Sequence, residues 1–281
     1  MNALLATTPS AALRTPLQRT GSTVYATMLA TLKRKTAYLI NVVRAPLLPA
    51  VLFVTMYVAY DAAGRTTAGG VDVAGFLLVG IIGLLSWEAS VWASGHSLED
   101  ERWEGTIASL FLTPASRAGV IAGYGLAGIV LALPSAFVVG LLALATNAQF
   151  QVASPGAVAL GLLALLFASL ATGFALASLF LLTRRANLMA NLIQHPAAFL
   201  CGFFVPRDDL PSWLQPLSAM LPVSHALDAF RLAMLTGADV ATVLKPAGAA
   251  LAAALAYAVV GTLGLRRIEY AAKRSGQLDL F

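Results

Sequence analysis

Residues 73 to 94 read VAGFLLVGIIGLLSWEASVWAS and contain a single charged side chain, that of Glu88. As a straight helix this stretch would be about 33 Å long, enough to cross a hydrocarbon core of about 30 Å. The apolar run is continuous rather than alternating, and lipid offers the backbone no hydrogen-bond partners. The stretch therefore predicts a membrane-spanning helix and not a barrel strand.

The rest of the chain repeats this pattern. Of its 281 residues, 59% are hydrophobic and 11% are charged, whereas a soluble domain carries about 25% charged residues. The predicted fold is an all-α polytopic membrane protein, with residues 1–20 as a flexible N-terminus and residues 21–281 as a single transmembrane domain. Six transmembrane helices are expected, at about residues 45–60, 73–94, 119–145, 157–182, 192–205 and 247–265.

The positions of the basic residues predict the orientation of these spans. Of the 18 lysines and arginines, six precede the first span, two lie between the second and third, two between the fourth and fifth, and four follow the sixth. The three remaining connections hold the other four. Because basic residues are enriched on the cytoplasmic side, both termini are expected inside. The Ala-rich composition is typical of a bacterium, so the predicted location is a bacterial cytoplasmic (inner) membrane.

Several classes of protein are disfavoured by the sequence. The basic residues cluster at helix ends, so a nucleic-acid partner is not expected. The single cysteine, Cys201, excludes a disulfide framework and a cysteine-based metal site. No G-x-x-x-x-G-K-[ST] motif occurs, so the chain has no P-loop for ATP. The N-terminus has no sustained apolar core before its first arginines, so a cleaved signal peptide is not expected.

The stretch EDERWEGT, residues 99 to 106, concentrates charge between the second and third spans, on the predicted cytoplasmic side. Ser97 can cap a short helix with Asp100 at its third position, and Trp103 begins an apolar stripe at three- and four-residue spacing. One interpretation is a solvated loop resting on the bilayer. Anionic inner leaflets repel carboxylates, however, and an exposed tryptophan suits a protein partner better.

Residues 24 to 40, VYATMLATLKRKTAYLI, precede the first span. Val24, Met28 and Leu32 can share one face of a helix, while the run from Lys33 to Lys35 marks a polar edge. This pattern predicts an N-terminal amphipathic helix at the cytoplasmic interface.

Two motifs carry a family resemblance. The run SLEDERWEGTIASLFLTPASR, residues 97 to 117, resembles the signature of ABC type-2 transporter permeases. The run CGFFVPRDDLPSWLQPLSAMLPVSHALDAFRLAMLTG, residues 201 to 237, resembles the same family's pattern between its last two spans. The number and order of spans agree as well, so the resemblance extends from about residue 24 over nearly all of the chain.

The resemblance implies that the acidic stretch is a cytoplasmic coupling helix that binds a separate nucleotide-binding ATPase subunit. The amphipathic helix before the first span would be a connecting helix that touches the same subunit. Two ATPase copies, and a second permease copy or a homologous permease, are implied. ATP and Mg²⁺ would bind the partner subunit, with no cofactor in this chain. The residues assigned to ATPase docking are Glu99, Asp100, Glu101, Arg102, Trp103, Glu104, Gly105 and Thr106.

The segment before the last span is too apolar for a free loop, and its prolines interrupt it too often for a full span. An outer helical cap is one interpretation, and the resemblance implies outer re-entrant helices that form a gate. Asp228 and Arg231, three residues apart on a helix, are spaced so that they are able to pair. The residues assigned to the outer gate are Pro206, Pro211, Trp213, Leu221, Pro222, Asp228 and Arg231.

The resemblance implies a pathway for the substrate between the first and fifth spans of two permeases. It would place Phe53, Tyr57, Phe199 and Phe203 near the path, although these rings could equally face lipid. Glu88 is a further candidate, because carboxylates inside a span are costly and often functional. The alternative is that Glu88 faces the bundle and is neutralised by an arginine or by protonation.

The expected function is that of the permease subunit of an ATP-driven exporter for an amphipathic drug or a lipid-like substrate. Export of lipid-linked polysaccharide or teichoic acid is the alternative. An intramembrane lipid-processing enzyme is more remote, because the three histidines are predicted at different membrane depths and no catalytic constellation is apparent. An ion-coupled transporter would normally bury more ionisable groups than Glu88.

Overall fold

The computed structural model describes residues 16–37, 39–95, 116–180 and 186–275, which form a helical bundle with one short β-hairpin. Its helices are α1 (Pro16–Thr36), α2 (Leu39–Arg44), α3 (Leu47–Ala62), α4 (Val73–Gly95), α5 (Arg117–Ala145), α6 (Pro155–Phe180), α7 (Ala186–Leu200), α8 (Gln215–Met220), α9 (Pro222–Leu235) and α10 (Val240–Ser275). A 3₁₀ turn covers Arg207–Asp209. The architecture confirms an all-α membrane protein.

Four of these helices are long and apolar enough to cross a membrane: α4, α5, α6 and α10. The two other expected spans correspond to shorter helices, since α3 has 16 residues and α7 has 15. At 1.5 Å per residue neither reaches 30 Å as a straight helix. The count of six spans, the positions of the termini and the re-entrant arrangement therefore stay predictions.

Helix α4 is the centre of the bundle. In its apolar window 83% of the residues are buried, against 22% in α5 and in α10. It packs against α3, α5, α6, α7 and α9, while α10 packs on α6 and α9. Small residues make this packing close: a Cβ atom on Gly173 of α6 would lie 2.6 Å from the carbonyl oxygen of Ser90 of α4.

The connections around the bundle contain local capping features. Helix α1 begins at Pro16, before the expected boundary at residue 20. The expected loop between α3 and α4 contains a two-stranded antiparallel hairpin, with β1 (Thr67–Ala68) and β2 (Val71–Asp72). Gly69 and Gly70 have φ of 57° and 79°, as a tight turn with left-handed residues requires. Asp72 then caps α4 by accepting a 2.9 Å hydrogen bond from the Gly75 amide.

Helix α9 is inserted into the bundle rather than laid over its surface. It packs against α4, α6 and α10, and nine of its 14 residues are buried. Glycines on α4 and α6 admit it: a Cβ on Gly83 would lie 2.7 Å from Leu227, and a Cβ on Gly161 would lie 2.8 Å from the Phe230 Cα. Within the segment between α7 and α10, helix α9 is thus part of the core.

Candidate functional site

The predicted docking residues lie outside the described residues, between Gly95 at the end of α4 and Ser116 before α5. Their assignment to an ATPase interface stays a prediction. The set consists of Glu99, Asp100, Glu101, Arg102, Trp103, Glu104, Gly105 and Thr106.

The two helices that flank this stretch meet at the same end of the bundle, where the predicted connecting helix also lies. The Ser94 hydroxyl near the end of α4 donates a 3.3 Å hydrogen bond to the Ile121 carbonyl in the second turn of α5. Helix α1 packs on α5 through Gly123, where a Cβ would lie 2.8 Å from the Val24 carbonyl oxygen and 2.7 Å from the Thr27 Cβ. The start of α5 is therefore close to both α1 and the end of α4.

After α7 the chain reverses at Gly202, which has a φ of +79° that favours glycine. The returning backbone passes so close to α4 that a Cβ on Gly80 would lie 1.9 Å from the Phe203 carbonyl oxygen. Arg231 fixes this turn, because its Nη2 donates to the carbonyl oxygens of Gly202 at 2.7 Å and Phe203 at 3.4 Å. Its guanidinium also lies 3.8 Å from the centre of the Phe76 ring, a cation–π contact.

Asp228 pairs with Arg207, a residue of the 3₁₀ turn, and not with Arg231. The predicted Asp228–Arg231 pair is therefore wrong: Arg231 is directed toward backbone carbonyls that the sequence spacing does not reveal. Burial raises the pKa of Asp228, and the charges of Arg207 and Arg231 oppose that rise. Burial lowers the pKa of Arg231 to about 10, so this guanidinium stays charged at neutral pH.

Two further contacts join this outer segment to α3. The Tyr60 hydroxyl donates a 2.8 Å hydrogen bond to the Phe204 carbonyl oxygen. Arg65 and Asp209 form a 3.5 Å ion pair whose side chains are 62% and 49% exposed. We define the outer latch as the contacts made by Tyr60, Arg65, Arg207, Asp209, Asp228 and Arg231.

The structure separates the other predicted gate residues into two groups. Pro206 and Pro222 are buried, and Leu221 precedes the first turn of α9. Pro211 and Trp213 are on the surface, with Trp213 71% exposed. An open cavity of about 400 Å³ lies beside the latch, lined by Gly69, Val71, Phe76, Pro206, Arg207, Asp208, Gln215, Asp228, Arg231, Leu232 and Thr236.

The predicted pathway aromatics are also divided. Phe53 and Phe203 have no exposed surface in the chain, and Phe53 stacks on Tyr57 with ring centroids 6.2 Å apart. Phe199 is 56% exposed and makes an edge contact with Phe204. Of the four aromatic side chains, Phe199 has the largest exposed fraction. A role for these residues in a substrate pathway stays a prediction.

Glu88 belongs to a cluster of polar side chains between α4 and α7. The Gln194 Nε2 donates to Glu88 Oε1 at 2.6 Å, and the Trp92 indole Nε1 donates to Gln194 Oε1 at 2.5 Å. Sequence reasoning missed Gln194 and Trp92. The available signal was an amide in an otherwise apolar helix, directly before His195. No group of three or more potential metal ligands occurs among the described residues.

One face of α7 is exposed along its whole length and carries both apolar and polar side chains. Leu188, Leu192 and Phe199 are 54%, 63% and 56% exposed. Asn191 and His195, which share this face at helical spacing, are also exposed. A face directed only at lipid would not normally carry an amide and an imidazole.

Comparison with known proteins identifies the family to which this chain belongs. No functionally curated protein matches the sequence. The profile of the ABC-2 type transporter family matches residues 21–235, which include α2 to α9 and most of α1. The chain therefore belongs to the ABC-2 type transporter family and is a transmembrane permease of the ABC type.

Proposed function

We propose that this chain is the membrane-spanning subunit of an exporter that is driven by a separate ABC ATPase. The observation that carries the proposal is the family match over residues 21–235, in a chain whose sequence contains no P-loop. The energy of ATP must then reach the bundle from another subunit. The acidic residues of the 99–106 stretch are the contact that we assign to it.

The geometry near this stretch supports that assignment. Residues 96–115 join α4, which is the most buried span, to α5, which packs against α1. The end of α4 is held to the second turn of α5 by the Ser94–Ile121 hydrogen bond. A force applied to the stretch would act directly on the central helix. Trp103 would anchor the contact, and the four carboxylates would orient it.

The outer latch is the element that we propose to open at the other end. Its parts come from α3, from the turn after α7 and from α9, so movement of α9 relative to α3 and α4 would break several contacts together. The cavity of about 400 Å³ beside it would widen as the latch opens. The substrate would leave on this side.

The proposed substrate is an amphipathic small molecule. The exposed face of α7 offers Leu192 and Phe199 to an apolar body and His195 to a polar group. We place this face opposite its equivalent in a second permease, so that two copies enclose one path. Two ATPase copies complete the complex.

The test is copurification of the full-length tagged permease with its ATPase subunit, followed by ATP-dependent transport in proteoliposomes. We expect the double variant Trp103→Ala with Glu104→Arg to lose at least tenfold in ATPase recovery and to lose transport, while membrane insertion is retained. The physical reason is the loss of an aromatic anchor together with a reversal of charge at one contact.

The matched control is Asp61→Arg, which makes the same charge reversal at an exposed carboxylate near the end of α3. It should copurify with the ATPase as the wild type does. Full ATPase recovery and transport by the Trp103/Glu104 variant would overturn the docking assignment.

A further inference from the structure

Glu88 is a carboxylate within a membrane span, and no lysine or arginine of the described residues pairs with it. None of the ion pairs formed by the described residues includes it. The ionisable side chain that acts on it electrostatically is His195, which forms no ion pair with it. Because burying an unpaired carboxylate is costly, such a residue calls for an explanation.

The hydrogen bonds at Glu88 and Gln194 fix which atom of the amide faces the carboxyl group. An indole N–H can only donate, so the contact with Trp92 requires that the Gln194 oxygen face the indole. The Gln194 NH₂ group is then directed at Glu88 Oε1 and donates to it at 2.6 Å. An ionised carboxylate can accept this hydrogen bond through either of its oxygens. A protonated carboxyl group also has an O–H to donate, so it would be stabilised more by a partner that can accept. Trp92 thus fixes the amide so that Glu88 is presented with a donor.

The second carboxylate oxygen is available to a ligand. Glu88 Oε2 accepts no hydrogen bond from the described residues, and it is not among their fully buried side-chain atoms that lack a partner. The residue is partly exposed, and the amide that holds it comes from α7, whose outer face carries His195 and Phe199. A positively charged group that reached the exposed part of Glu88 would meet a carboxylate already oriented by Gln194.

We propose that Glu88, held by Gln194 and Trp92, binds the positive charge of the transported molecule, which is an amphipathic organic cation. A neutral amide can orient the carboxylate but cannot neutralise it, so the substrate supplies the missing charge. In a medium of low dielectric constant this attraction is stronger than in water. The inference rests on the proposed function, since it names the substrate class of the same permease.

The test uses two probes of nearly equal shape and opposite charge, tetraphenylphosphonium and tetraphenylborate. Binding to the full-length permease in nanodiscs is measured for each, after subtraction of binding to empty nanodiscs. We expect saturable binding of tetraphenylphosphonium, with Glu88→Gln weakening it at least tenfold. Binding of tetraphenylborate should be unchanged or stronger in that variant. The substitution keeps the size of the side chain and an oxygen that can accept from Gln194, and it removes only the charge.

Two further variants separate charge from structure. Glu88→Asp keeps the charge and should retain the preference for the cation. Asp61→Asn removes an exposed carboxylate near the end of α3 and should bind both probes as the wild type does. If Glu88→Gln does not fold, the wild type and Glu88→Asp still decide the matter. The proposal is overturned if the wild type shows no saturable cation binding, or if Glu88→Gln binds the cation with wild-type affinity.

This measurement needs no ATPase subunit, so its outcome is separate from the copurification test. Loss of cation binding in Glu88→Gln without ATPase recruitment by the wild type would defeat the exporter and keep the site. ATPase recruitment by the wild type, with cation binding that is equally tight in Glu88→Gln, would defeat the assignment of the site to Glu88 and keep the exporter.

Discussion

The outer latch and the Glu88 cluster differ in whether their charged side chains have a partner of opposite charge. In the latch Arg207 pairs with Asp228, while Arg231 reaches two carbonyl oxygens and the Phe76 ring. In the cluster Glu88 receives one hydrogen bond from a neutral amide and no ion pair. Among the described residues, Arg207 and Asp228 of the latch pair with each other, whereas no opposite charge pairs with Glu88. We infer from this difference that the charges of the latch stabilise the fold, and that the charge of Glu88 is neutralised by a bound ligand.

The physical basis of this contrast is the cost of removing charge from water. In a partly buried ion pair the opposite charge offsets part of the cost of desolvation, as Arg207 does for Asp228. A lone carboxylate cannot do so, because an amide donor supplies a dipole but no opposite charge. Residues of the latch should therefore affect stability, and Glu88 should affect ligand binding.

The strongest way to break the latch is to separate its turn from α4. We expect Gly80→Ala to destabilise the protein by about 3 kcal/mol, the upper part of the usual range for overpacking. The added Cβ would lie 1.9 Å from the Phe203 carbonyl oxygen, a backbone atom that cannot rotate away. The free energy of unfolding in detergent micelles measures the effect.

The matched control is Gly140→Ala in α5, where an added Cβ meets no atom within 4 Å. Because alanine favours a helix over glycine by about 1 kcal/mol, this variant should be as stable as the wild type or slightly more stable. Equal stability of the two variants would show that the turn is not held against α4.

The long spans were predictable because their pattern is uniform. Helix α4 covers residues 73–95 where the apolar run predicts 73–94, and α5 begins at 117 instead of 119. Helix α10 differs more, since it begins at Val240 and not at 247. Asp239 caps it through bonds to Thr242, which also lower the pKa of the Asp239 carboxyl, and Pro246 does not end it. Local composition could not show that the helix continues through this proline.

The site was less predictable because its contacts join residues distant in sequence. Arg207 reaches Asp228 across 21 positions, and Gln194 reaches Glu88 across 106. A search for opposite charges three positions apart pairs Asp228 with Arg231, because it considers only contacts within one helix. The end of α7 at Leu200 has a similar cause: the left-handed Gly202 and the carbonyl contacts of Arg231 define a turn where the apolar run predicts helix to residue 205.

A smaller change tests whether the Arg207–Asp228 pair contributes more to stability than the Arg65–Asp209 pair. We expect Asp228→Asn to cost about 1–2 kcal/mol, less than the loss of a fully buried pair because its side chain is 36% exposed. The comparison variant Asp209→Asn removes the 3.5 Å surface pair with Arg65 and should cost at most about 0.5 kcal/mol. Detergent-micelle unfolding of both variants measures the difference. Equal costs would mean that burial does not distinguish the two pairs.

The smallest expected change in stability, and the one that bears most directly on the contrast, is that of Glu88→Gln. Its side-chain oxygen can still accept from Gln194, and the desolvated charge is gone. The free energy of unfolding should therefore stay the same or rise by about 0.5–1 kcal/mol, as is usual when a site that serves function is relieved of an unfavourable group. Asp61→Asn, which alters an exposed carboxylate, should lie within about 0.5 kcal/mol of the wild type. A loss of more than about 1 kcal/mol in Glu88→Gln would place Glu88 with the latch, as a residue that holds the helices together. Unchanged or increased stability, combined with weaker binding of tetraphenylphosphonium, would assign the charge of Glu88 to the ligand.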